Sequence, residues 1–147
     1  MRVKLHILSL VRELDDDGNP MDDDCRRVEE TVCGTLTLSD TGGEIAYITA
    51  DENGKTESRI LFPSDRQSLR ILRSGVVSSE IRLVHGNTHA SEYGFLGYRF
   101  PLAVTLSSLK NNINVSGGCI RLAYRMDIGG QKQKVSMQIT VTGGADE

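Results

Sequence analysis

Apolar and polar residues alternate with a period of two along most of the chain. Val28, Glu30, Val32, Gly34, Leu36 and Leu38 oppose Glu29, Thr31, Cys33, Thr35 and Thr37. Tyr98, Phe100, Leu102, Val104 and Leu106 alternate with Arg99, Pro101, Ala103, Thr105 and Ser107. Ile120, Leu122, Tyr124, Met126 and Ile128 keep the same rhythm, and Val135, Met137, Ile139 and Val141 close the set. Successive strand side chains point to opposite faces, so each run predicts a strand with one buried face. The first run is less regular. Val3, Leu5 and Ile7 share one face before Leu8 and Leu10 take the other. That change predicts a β-bulge or a strand covered on both sides.

Turn chemistry divides the runs. Asn53-Gly54 is the strongest hairpin signal, because both central residues of a type I′ turn need positive φ. Thr41-Gly42-Gly43, Ser74-Gly75, Gly86-Asn87, Leu96-Gly97, Gly117-Gly118 and Gly129-Gly130 mark further turns or bulges. The resulting strands lie near 2–13, 26–38, 43–51, 55–62, 67–73, 76–85, 88–95, 97–108, 112–128 and 132–142. Ser64-Asp-Arg-Gln-Ser68 has room for a single helical turn, and the tail Gly143-Gly-Ala-Asp-Glu147 is expected to fray. Strands joined by short turns form an antiparallel meander, and closing it removes two long sheet edges. The predicted fold is therefore all-β, an antiparallel up-and-down β-barrel of about eight to ten strands. With no internal repeat or linker, residues 1–147 read as a single domain.

Composition supports the strand reading. Val, Ile and Thr number 11, 10 and 10 against 6 Ala. β-Branched side chains suit a pleated surface, whereas helical proteins lean on Ala. The net charge is −3, from 17 basic and 20 acidic residues. Six Asp sit between Asp15 and Asp24 with no basic residue among them, so the rest of the chain carries −3 + 6 = +3. This segment is expected to be a long solvated loop. Counted from Asp15, Pro20 stands where an EF-hand needs Gly, and Arg26 where it needs Glu. Seven aromatics and no Trp supply little surface for base stacking, which argues against nucleic acid as a partner. No apolar run approaches the length of a membrane span. Cys25, Cys33 and Cys119 are an odd number with no C-x-x-C spacing, which fits neither a disulfide framework nor a zinc knuckle. The chain reads as soluble and cytoplasmic.

Chemistry-bearing motifs are sparse. His85-Gly-Asn-Thr-His89 sets two imidazoles across a turn, with Glu80 or Glu92 as conceivable third ligands, but the simpler reading is two polar residues at an exposed hairpin. There is no G-x-S-x-G elbow, no phosphate-binding loop and no dinucleotide fingerprint. The sequence therefore leans away from an enzyme and implies no cofactor and no metal. The informative residues are charged ones inside strands: Glu57 and Arg59; Ser78, Glu80 and Arg82; and Arg73, which shares its face with Leu69 and Ile71. Charges that face a barrel interior must pair or meet a ligand. Arg73, Arg59, Arg82 and Glu80, with hydroxyls from Tyr47, Tyr93 and Tyr124, are the candidate site. Its expected occupant is a small amphipathic or anionic molecule. The alternative is an interaction module whose barrel is filled by its own side chains and whose outer surface binds protein.

Five stretches carry a family resemblance: Ile45-Ala-Tyr47, Leu72-Arg-Ser-Gly-Val76, Tyr93-Gly94-Phe95, Ile120-Arg-Leu-Ala-Tyr-Arg-Met126 and Met137-Gln-Ile-Thr140. In this order and spacing the chain resembles the YwiB-like family, a bacterial domain of unknown function, from about residue 3 to 142. The resemblance implies a calycin-like, lipocalin-type β-barrel. It brings no catalytic residue. The Asp-rich segment, His85 and His89 stand apart from the family pattern.

Overall fold

The computed structural model describes residues 1–143, with backbone alone at 20–24; the tail expected to fray falls largely outside them. Ten strands run in chain order: β1 (Arg2–Leu14), β2 (Pro20–Ser39), β3 (Gly42–Asp51), β4 (Gly54–Pro63), β5 (Ser68–Gly75), β6 (Val77–Val84), β7 (Thr88–Phe95), β8 (Tyr98–Asn111), β9 (Gly117–Ile128) and β10 (Gln131–Gly143). Each pairs antiparallel with its neighbour in sequence, and β1 also pairs with β10, which closes an up-and-down barrel. No helix among the described residues is long and apolar enough to cross a membrane.

The two ends of the barrel differ in filling. At one end, rows of aliphatic side chains meet across the axis. Leu36, Ile45, Ile60 and Ile71 form one such row through the registers of β2 to β5, and each is 2% exposed or less. Val3, Leu5, Leu69, Leu83, Leu102 and Ile120 complete this dry half. Residues 112–116 do not extend β9 as expected; they form a loop that drives Ile113 into the base of the barrel. Arg66 sits in the turn between β4 and β5 at φ 57°, where a helical turn was expected. Its guanidinium lies 5.4 Å from the Phe62 ring centroid and donates to the Ile113 carbonyl, closing the end.

Three more features depart from the sequence expectation. Leu8 and Leu10 stay on the outer face of β1 with no bulge beside them, because the register of β1 against β2 is unbroken from Arg2 to Arg12. The segment expected as a long acidic loop is shorter: β2 begins at Pro20, and only residues 15–19 turn. The wall is also uneven. β6 and β7 share only the rungs Val77↔Phe95, Ser78↔Gly94 and Ser79↔Tyr93. Beyond them the Ser91 hydroxyl donates to the Glu80 carbonyl at 2.8 Å, and His85 bridges Leu106 of β8. β2 and β3 part after Gly34↔Tyr47, so the upper half of β2 pairs with β1 alone.

Candidate functional site

Above the dry half, the same inward-facing positions line a cavity of about 460 Å³ at the opposite end of the barrel. Arg73, Ser58 and Tyr47 form its floor on one side, in register across β5, β4 and β3. Tyr124, Val135 and Val11 face them in register across β9, β10 and β1. The walls are unlike. β3 to β5 contribute hydroxyls with Arg73 and Asp51, β2 adds Arg26, Val28 and Glu30, and β1, β9 and β10 contribute mainly Val11, Met126, Ile128, Val135 and Met137. Such a cavity accommodates a molecule with one polar and one apolar side.

Arg73 is half-buried, and among the described residues no carboxylate lies within 4 Å of it. Its charge reaches Tyr124. Burial pushes the Tyr124 hydroxyl above the usual phenol range, Arg73 draws it partly back, and Tyr47 adds to the rise. Tyr93, from β7, also lines the cavity, in register with Ser79 and, through it, with Arg73. Gly75, two residues after Arg73, holds φ +134°, and a Cβ there would stand 2.2 Å from the Lys55 carbonyl oxygen. This close approach of β5 to β4 gives the Arg73-Ser-Gly75 run a structural reason.

Of the residues singled out in the sequence, Arg73, Tyr47, Tyr93 and Tyr124 meet in this cavity. Arg59, Arg82 and Glu80 do not. They alternate with the buried Ile60 and Ile81 and therefore face outward. Arg59 donates to Glu44 from its Nε at 2.8 Å, and Glu80 pairs with Arg82 and, at 3.4 Å, with Arg70. The Arg82 hydrogen bond is the main cause holding the Glu80 carboxyl below its ordinary range. These are surface ion pairs, which contribute little. His85 is exposed, while His89 faces inward with a buried Nε2 that has no partner. No cluster of three or more metal-ligating side chains occurs among the described residues.

Three charged residues of the cavity were overlooked in the sequence: Arg26, Glu30 and Asp51. The signal was present, since Glu30 sits in the Val28–Leu38 alternation and Asp51 continues that of Ile45 and Tyr47. Arg26 and Asp51 are exposed at the rim, and Glu30 is half-buried.

Fold and site together define a closed ten-stranded barrel with one packed half and one open half of mixed polar and apolar lining. The model of the family described as "Domain of unknown function (DUF1934)" matches residues 17–140, and the chain belongs to that family. It is 25% identical over 143 residues to the uncharacterized beta-barrel protein YwiB of Bacillus subtilis, covering 97% of this chain and 94% of that protein. The crystal structure of that ywiB protein superposes with a TM-score of 0.79 at 22% identity, over 98% of this chain and 92% of the other.

Proposed function

We propose that this protein binds, without catalysis, a small amphipathic molecule with an anionic head in the open half of its barrel, as a calycin-like barrel would, and that it does so in the cytoplasm. The carrying observation is Arg73, a guanidinium inside the barrel with no described carboxylate partner, set on the floor of a cavity of about 460 Å³. Arg73 is half-buried, so its charge is only partly solvated, and an anionic ligand head would supply the partner it lacks among the described residues. The head is held by Arg73 and the Tyr47 and Tyr124 hydroxyls. The body lies against Met126, Val135 and Met137. Exposed Cys25 and Cys33, both free thiols, fit a reducing compartment.

Native mass spectrometry of the purified protein, compared with its denatured mass, tests the reading. A non-covalent adduct lost on denaturation is expected, and a fluorescent anionic probe such as anilinonaphthalene sulfonate should compete with it. A charge-assisted hydrogen bond contributes about 1.5–3 kcal/mol, so Arg73→Ala should weaken probe binding at least about tenfold. Arg59→Ala, on the outer face, should leave it unchanged. Equal effects from the two variants, or no saturable probe binding, would refute the reading.

A further inference from the structure

The upper half of β2 is a sheet edge without a neighbour. Its pairing with β3 stops at Gly34↔Tyr47. Continued in the same register, the last residue of β3, Asp51, would reach only as far as Glu30. Residues 25–29 therefore stand beyond the β3–β4 hairpin, paired with β1 on one side only. The side chains there are accessible: Val28 is 39% exposed, and Arg27 and Glu29 are 61% and 46% exposed.

The hydrogen-bonding parity of this edge follows from the structure. Leu36 donates its N–H to Met1, on the β1 side, at 2.9 Å. In an antiparallel strand the N–H and C=O of one residue point to the same side and alternate along the chain. The β1–β2 register is unbroken down to Cys25, so the even residues of β2 face β1. The groups of Cys25, Arg27 and Glu29 consequently face the open edge.

The sequence at that edge, Arg26-Arg27-Val28-Glu29-Glu30, is complementary in charge to its own reverse. We propose that two copies of this chain pair antiparallel, edge to edge, through β2 about Val28. This register joins odd residues to odd residues, as the edge requires. Arg27 exchanges backbone hydrogen bonds with the partner's Glu29, and Glu29 does so with the partner's Arg27. Side chains then pair on both faces, Arg27 with the partner's Glu29 outside and Arg26 with the partner's Glu30 on the cavity side. Moving the centre by one residue sets Arg27 against Arg27 or Glu29 against Glu29, and like charges directly opposite are unfavourable. Glu29 is now shared between His6 and Arg27 of its own chain, so its carboxylate exchanges one cation for another. Unpaired strand edges are natural templates for such addition, and this one is the length of a short β-ribbon. The pairing also brings the partner's Arg26 and Glu30 to the rim of the cavity.

Sedimentation velocity across a concentration series tests the pairing. The wild-type protein should form a dimer that weakens as salt is raised. Two double variants, Arg26→Glu/Arg27→Glu and Glu29→Arg/Glu30→Arg, should each weaken self-association more than tenfold. Mixed one to one, they should recover a dimer, since every cross-strand pair is again opposite in sign. Glu29→Pro removes an edge-facing N–H while leaving the bonds to β1, and should also give a monomer with an unchanged far-ultraviolet spectrum. Arg73→Ala should remain dimeric, which separates this interface from the ligand site. A wild-type monomer at the highest soluble concentration would overturn the pairing. So would double variants that dimerise like the wild type, or a mixture that stays monomeric.

Discussion

Tyr124 is the residue whose surroundings say most about the cavity floor. It is 3% exposed, and burial raises its hydroxyl pKa above the unfolded value near 10. The sign of the consequence is fixed. Below pH of about 10 both states hold the proton and stability is complete, whereas above it the unfolded chain ionises first and the folded state loses ground. Urea unfolding at pH 9 and pH 11 should show wild-type stability falling more steeply than that of Tyr124→Phe; parallel losses would place the hydroxyl in water. At the same scale, alternation told which residues share a face, but not which face is inside. Arg73 and Arg59 both sit among aliphatic residues, and Arg59 has Leu61 beside it as Arg73 has Ile71. Only the register sends Arg73 inward with Ile71 and turns Arg59 out with Leu61.

At the scale of elements, the strands were legible because hydrophobic alternation and glycine-bearing turns are local signals. What escaped was where neighbouring strands stop pairing. β6 and β7 were each readable, yet nothing in their residues announces that they share only three rungs. There the Ser91 hydroxyl replaces a backbone donor toward Glu80. Local opening concentrates where backbone hydrogen bonds are missing. Hydrogen exchange should therefore be fast for seam-facing amides of residues 81–84 and 88–92, as for the unpaired edge of β2, and slow for β9 and β10. Uniform protection around the wall would contradict this. The loop 112–116 escaped for a related reason. Asn112 accepts the Cys119 N–H at 2.8 Å and Asn111 the Ile113 N–H at 3.0 Å, side-chain bonds that end a strand which the apolar pattern alone would have extended.

The whole molecule divides into a packed half that holds the fold and an open half that encloses the cavity. Removing methylenes from the packed half leaves a void, so Ile60→Ala should cost about 2–5 kcal/mol. Val77→Ala, on the half-buried cavity wall, removes contacts that already border solvent and should cost about 1 kcal/mol or less. Denaturant midpoints measured on both variants check the division, and equal losses would mean the upper half is packed as tightly as the lower. Neither half could be assigned from the chain alone, since the same alternation of Ile45 with Tyr47 and Ile60 with Ser58 runs through both. The sequence by itself determined the strands and their antiparallel order, because period-two patterning and turn residues act within a few positions of the chain, and closure followed from the cost of leaving two long sheet edges. Tertiary structure alone decided that Arg73 and Tyr124, 51 residues apart in the chain, face each other across one cavity. It likewise decided that Arg59 and Glu80 belong to the outer surface and that β2 is left with an open edge. These outcomes depend on register and curvature summed around ten strands, and no stretch of sequence holds that sum.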